Sequence, residues 1–298
     1  MIGCTSSGEL TEDGYDRGSL SIIGFPASAF HLSSHCFLDL DNFDPATARA
    51  AVRKLAADAE RDSRGLGEKV NHVALFLVDG LSHSEEMLTM TIQDALGEIP
   101  LIGGSSGDDL AFRRTVVLEG GAFHQRAAVV AILSTPKPLH VFKAQHYRPG
   151  DRKMVITGAL PQERIVTEIN AEPAASEYLR LAGHAGEALG TEFFAAHPPM
   201  VRAGGEYHVR SIQTANPDGS LTFYCAIDEG LVLTVGEPVD RIAGMEELFG
   251  NIREAIGPVD RIIAFDCVLN RIDAEQRQIA HEVSQLYRRH RVVGFNTY

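Results

Sequence analysis

The chain has 298 residues, 44% of them hydrophobic and 22% charged, the balance of a globular protein with a sizeable core and not of a disordered chain. Lys plus Arg number 27 against 40 Asp plus Glu, and a formal charge of −13 repels a phosphate backbone, which argues against nucleic acid as a partner. No apolar run reaches the roughly 18 to 20 residues of a membrane helix, no signal segment opens the chain, and Cys4, Cys36, Cys225 and Cys267 lack CxxC spacing, so no membrane contact, reduced thiols and a cytoplasmic location are expected.

The chain opens on the loop-like run Ile2-Gly3-Cys4-Thr5-Ser6-Ser7-Gly8-Glu9, with almost nothing before it. Ser19 to Phe25 and His31 to Leu40 read as strands, and Ala46 to Arg61, after Asp44-Pro45, reads as a helix with one solvated face. The clearest unit follows. Val73 to Val78 is a buried strand, Ser82 with Glu85 suits a capping box, Leu88, Ile92, Ala95 and Leu96 make one apolar helix face, and Ile99 to Gly104 returns as a strand. That is a β-α-β crossover between parallel strands.

Strand-like segments at Thr115 to Leu118, Ala127 to Leu133, Met154 to Thr157 and Ile165 to Ile169 are spaced closely enough for antiparallel pairing. A short helix over Ala174 to Ala182 precedes a glycine-rich break at 183–190, where the domain boundary is placed, giving domains 1–182 and 183–298. Tyr207 to Thr214 and Leu221 to Ala226 flank the turn Asn216-Pro217-Asp218-Gly219; a strand over Leu231 to Val235 and a helix over Val239 to Ile256 follow. Arg261 to Phe265, a helix capped by Asp273 with Gln276 and striped by Ile279, Val283, Leu286 and Tyr287, and the strand Val292 to Gly294 repeat the β-α-β plan. The fold class expected is α/β (α+β), with mixed sheets, crossovers, antiparallel hairpins and two related halves. Arg288, Arg289, His290 and Arg291 read as a solvated helix end.

Three places share one grammar, an apolar strand end followed by Gly and then small hydroxyl or amide residues: residues 2–9, Ile102-Gly103-Gly104-Ser105-Ser106-Gly107-Asp108-Asp109, and Val293-Gly294-Phe295-Asn296-Thr297. Each alone could be a tight turn; together they point to one pocket beyond the strand ends, where backbone amides and hydroxyls hold a polar ligand. No P-loop or GxGxxG pattern is present. Asp266, Cys267 and Arg271 end a strand with an acid, a thiol and a base, fitting a ligand-holding role, or alternatively a cysteine-dependent hydrolase or transferase using Cys267 or Cys4. An acid beside Cys267 raises a thiol pKa, which weighs against the nucleophile. The twelve histidines match no zinc pattern; His146, in His146-Tyr147-Arg148, stays open as a haem ligand.

These residues resemble a known family. Residues 2–9, Pro100 to Asp108 and Ala127 to Leu133 look like the FIST N domain, while Pro173 to Tyr178, Phe265-Asp266-Cys267 with Arg271, and Gly294 to Tyr298 look like its FIST C companion, so the likeness covers nearly the whole chain. Family members carry a further stretch before the first loop and a Gly-Glu continuation after the last, and both are missing here. The resemblance implies a bacterial sensory protein without catalytic residues, binding small molecules such as amino acids and signalling to a partner such as a histidine kinase in a two-component system; some relatives bind haem and sense nitric oxide. The ligand site is expected at Cys4, Thr5, Ser6, Gly103, Gly104, Ser105, Asp108, Asp266, Cys267, Arg271, Asn296 and Thr297, with no cofactor or with haem on His146 as the alternative.

Overall fold

A computed structural model describes residues 1–298. In chain order it begins with strands β1 (Ile2–Cys4), β2 (Glu9–Thr11), β3 (Gly14–Asp16) and β4 (His31–Phe37), helix α1 (Pro45–Asp62), β5 (Asn71–Val78), α2 (Glu85–Leu96), β6 (Leu101–Ser105), β7 (Val117–Glu119), β8 (Ala122–His124) and β9 (Ala128–Thr135). The middle supplies β10 (Tyr147–Leu160), β11 (Ile165–Ile169), β12 (Glu172–Pro173), α3 (Ala174–Ala182), α4 (Thr191–Ala196), β13 (Pro199–Ala203), β14 (Glu206–Val209), β15 (Ile212–Ala215), β16 (Leu221–Phe223), β17 (Val232–Pro238) and α5 (Arg241–Ile256). The last stretch is β18 (Ile262–Cys267), α6 (Val268–Gln276), α7 (Ala280–Arg289) and β19 (Val292–Thr297). The chain is therefore mixed α/β. No helix is long and apolar enough to cross a membrane.

Internal contacts divide the chain into two compact units, Met1–Lys143 with Phe249–Val268 and Val283–Tyr298, and Ala144–Leu248 with Leu269–Glu282. The 183–190 break lies between α3 and α4, within the second of these.

In the first unit the sheet β4-β9-β5-β6 pairs β5 with β6 in parallel and its other neighbours antiparallel. Alternation along β5 and β9 sorts the side chains by face. Ala74, Phe76, Val78, Ala128, Val130 and Ile132 pack with Val52, Leu55, Leu88 and Ile92 of α1 and α2. Leu77, Val129 and Ala127 of the opposite face join Val117, with Ile2, Cys4, Phe265 and Phe295 against them. Leu88 and Ile92 are fully buried, so truncating either to Ala would cost about 2–5 kcal/mol. Asp44 caps α1 by accepting a 2.8 Å bond from the Thr47 amide, and Pro45 is tolerated at N1, where its missing N–H is not needed.

The second sheet of this unit runs β18-β19-β2-β3, with β18 and β19 parallel. Both crossovers bring a glycine to the same register position, Gly103 opposite Phe76 and Gly294 opposite Ala264. Their φ values are +158° and +152°, and a Cβ at either would overlap the carbonyl oxygen of its partner. Only glycine fits there.

The second unit is an eight-stranded sheet ordered β14-β13-β17-β10-β11-β16-β15, with β12 on β11, antiparallel throughout. Tyr178, Leu181 and Phe194 from its helices cover Met154, Ile156, Val166 and Leu233. The turn after β15 forms as its residues require: Gly219 takes φ +84°, and Asp218 accepts from the Ser220 amide at 3.0 Å and hydroxyl at 2.7 Å.

Four expectations fail locally. Tyr207 to Thr214 is not one strand but two, β14 and β15, which lie at opposite ends of the strand order of the second unit's sheet. Ser19 to Phe25 is not a strand: Leu20 and Ile22 are 80% and 78% exposed, and no neighbour pairs their backbone, so apolar alternation alone did not make a sheet. Ser82 does not cap α2; Ser84 stands at that position without a side-chain cap, and Glu85 and Glu86 complement the helix N-terminus instead. Asp273 does not start a helix but lies buried within α6, which leaves β18 directly. That helix ends where Gln278 adopts φ +58° and the Ile279 amide reaches back to the Ala274 carbonyl at 2.9 Å, a Schellman-type stop, before α7 begins.

Candidate functional site

The three glycine-led runs meet at one place in the first unit. The Ser7 amide donates to the Asn296 carbonyl at 2.9 Å and the Asn296 amide to the Gly8 carbonyl at 2.7 Å, extending the antiparallel β2–β19 pairing by two residues. On its other side the first loop takes a 3.1 Å bond from the Gly107 amide on the Thr5 carbonyl. The Thr5 amide donates to Val116 at 3.0 Å, and its hydroxyl accepts from the Val116 amide at 3.1 Å. Residues 5–8 thus bridge the ends of β6 and β19. The approach is close: a Cβ on Gly107 would strike the Ser7 hydroxyl, and one on Gly104 the Thr297 methyl.

Most hydroxyls at the junction are already committed. Ser6 donates to the Glu9 carboxylate at 2.5 Å, Glu9 also accepts the Ser19 amide at 3.1 Å, and Ser106 accepts the Gly80 amide at 3.2 Å. Two groups remain. Ser105 is half-buried, and its hydroxyl makes no hydrogen bond within the protein. Asn296 is 0% exposed, its amide nitrogen leans on the Asp266 carbonyl at 3.4 Å, and its amide oxygen has no partner. An unmet buried acceptor costs about 1–3 kcal/mol unless a donor reaches it. Phe265 and Phe295, edge to face at 5.4 Å, supply the apolar wall beside Cys4.

Cys4 packs among those apolar groups, and burial pushes its thiol up to about 12; burial and then Glu119 push Cys36 to about 11. Burial thus disfavours both thiolates, which weighs against an activated nucleophile at Cys4. Cys267 lies at the end of β18, opposite Thr297. The Asp266 carboxylate faces away from the loops: the Tyr15 hydroxyl donates to it at 2.9 Å and that of Tyr287, on α7, at 3.4 Å. Arg271 is buried on α6, 3.6 Å from Glu275, and is counted with the second unit.

Asp108 organises the segment after the second loop. It accepts the amides of Phe112, Arg113 and Arg114 at 2.8, 2.7 and 2.8 Å, and the hydroxyl of Tyr298. Burial pushes its carboxyl up, but these bonds outweigh burial and leave it below the usual carboxylate range. Burial and then Asp108 push the Tyr298 phenol up to about 12. Asp109, Leu110 and Phe112 all hold positive φ, +56°, +63° and +49°. Each such residue costs about 1 kcal/mol or more, which bonds to a carboxylate of about 1.5–3 kcal/mol apiece can offset. Tyr15, Tyr287 and Tyr298 carry no local sequence signature, and their roles were not legible; only the stripe on α7 hinted at Tyr287.

His146 is buried at the start of the β10 region, within the second unit. Its neighbour Tyr147 commits its hydroxyl to the Ala195 carbonyl at 2.6 Å. No group of three or more His, Cys, Asp or Glu side chains among the described residues could hold a metal ion.

Residues 1–172 match the FIST N domain family, and residues 141–298 match the FIST C domain family. No curated protein and no solved structure matches the chain.

Proposed function

The chain belongs to the FIST family, whose domains are sensory and associated with signal transduction rather than catalysis, and from that premise we propose that it is a non-enzymatic receptor whose small polar ligand binds where the three glycine-led loops meet. The observation that carries the reading is the convergence of backbone from both ends of the chain at residues 5–8, 104–107 and 296–297, with the Asn296 amide oxygen buried there without a partner and the half-buried Ser105 hydroxyl at the end of β6. A ligand that donates to Asn296, or one that bonds Ser105, satisfies a group the fold leaves unmet. Sensing then needs only a difference in affinity between two conformations, which a protein partner reads.

The test is a thermal-shift screen of the full chain with amino acids and other small polar metabolites. A ligand at a hundredfold excess over its Kd adds about 2.7 kcal/mol, a plain rise in Tm. The shift should fall away in Ser105→Ala and Asn296→Asp. A panel without any stabiliser, or a stabiliser equally effective on both variants, removes this site as the receptor.

A further inference from the structure

We infer that residues 108–114 form a strap across the loop junction, held shut by the clasp between Tyr298 and Asp108, and that this strap is the moving part by which the junction reports its occupancy. What the strap reports rests on the receptor reading above; its opening does not.

Both ends of the strap are tied to one residue. Thr5 holds Gly107 at the near end and Val116 at the far end, so the chain between them is a closed hoop whose shape can change without moving its anchors. Within the hoop no helix or strand forms, and residues Ala111 to Arg114 are exposed. The exposed Asp109 carboxylate pairs with Arg17, and the Asp108 carboxylate gathers the Phe112, Arg113 and Arg114 amides. The fourth bond to that carboxylate comes from another part of the chain: Tyr298 donates its hydroxyl to Asp108 and lays its ring on Phe112, centroids 4.9 Å apart. Tyr298 directly follows Asn296 and Thr297 on β19, so a shift of that strand end moves the clasp.

The closed form is also strained. Three residues without glycine's freedom sit at positive φ, and opening lets them relax while exposing no apolar core. A clasp opposed by strain and joined to the loop junction is an order–disorder element of the kind that switches use. A static surface loop would share the geometry but would not open separately from the sheets.

Hydrogen exchange on the full chain separates these. The amides of Phe112, Arg113 and Arg114 report the strap, and those of β5 and β9 the fold. Tyr298→Phe, which removes one bond and keeps the ring, should speed strap exchange about tenfold and leave β5 and β9 unchanged. Asp108→Asn should do so more strongly, and Leu110→Gly, which relieves a positive φ, should slow the same amides. Unchanged strap exchange in Tyr298→Phe, or a rise shared equally by β5 and β9, overturns the strap; faster strap exchange in Leu110→Gly overturns the role of strain. A chain whose strap opens selectively but whose Tm no compound moves keeps the strap and loses the receptor, so the two failures are distinct.

Discussion

The crossovers β5-α2-β6 and β18 to β19 do the same thing with different parts. Each lays a glycine against the partner strand's carbonyl, Gly103 on Phe76 and Gly294 on Ala264, and each ends at the loop junction. One position further they diverge: Leu77 faces Gly104 in the first, Phe265 faces Phe295 in the second. The next pair is Val78 with Ser105 against Asp266 with Asn296. The first crossover therefore contributes bare backbone and an open hydroxyl, and the second contributes aromatic bulk and a buried amide. A repeated backbone can carry different side chains at equivalent positions, because the shared glycine fixes the main chain and leaves the following residues free to differ.

The largest effect should come from breaking what the two crossovers share. Gly103→Ala and Gly294→Ala each force a Cβ onto a carbonyl oxygen at a φ that alanine avoids, and each should cost about 3 kcal/mol or more, measured by denaturant unfolding. Similar losses are expected, since the geometry is the same; a mild effect at one would end the equivalence. Gly104→Ala should be destabilising for a different reason, contact with the Thr297 methyl. Thr297→Ser removes that methyl, so the double variant should recover stability, which a double-mutant cycle would read as a coupling of about 0.5–3 kcal/mol.

Next comes the buried Asp266 carboxylate of the second crossover, whose register counterpart in the first is Val78. Tyr15→Phe deletes the 2.9 Å bond to Asp266 and should cost about 1–3 kcal/mol; Tyr287→Phe, at 3.4 Å, should cost less. Equal costs would mean that the Tyr287 bond is as strong as the shorter one.

A smaller effect follows from pH. The Asp108 carboxyl is held below its ordinary value, so its contribution is present above about pH 4 and lost as acid approaches the lowered folded value. Tyr298 has the opposite sense: its phenol is pushed up to about 12, so its contribution is complete below the unfolded value and is lost as pH rises towards 12. Protection of the 108–114 amides should fade at both extremes, and Asp108→Asn should abolish the acid limb. The smallest effect is on reactivity. With its thiol near 12, Cys4 should resist alkylation at neutral pH in the folded chain and react freely once unfolded.

Legibility varied with how local the signal was. The β5-α2-β6 crossover could be read because a continuous apolar strand run, the helix period and the returning glycine all agree over about thirty consecutive residues. The stretch 19–25 has a strand-like apolar pattern as well, yet remains exposed coil, since such a pattern states which residues could share a face and not whether a neighbour exists to pair with them. The Asp-x-x-Gln pattern at Asp273 misled because a buried helical aspartate and a cap look alike in one dimension. At the junction the glycine-led runs were recognisable as a set, whereas Tyr15, Tyr287 and Tyr298 were not, because a tyrosine's partner is chosen by distant packing.

From its sequence alone this protein is a mixed α/β chain with two similar crossovers, glycines at their turning points and the motifs of one sensory family, because backbone propensity, periodicity and close-approach glycines are written locally. Tertiary structure alone decided which polar groups are already matched: Tyr15 reaches Asp266 across 251 positions and Tyr298 reaches Asp108 across 190. Whether a hydroxyl or carboxylate remains available to a ligand depends on such long-range partners, and contacts closed by packing leave no trace in the order of neighbouring residues.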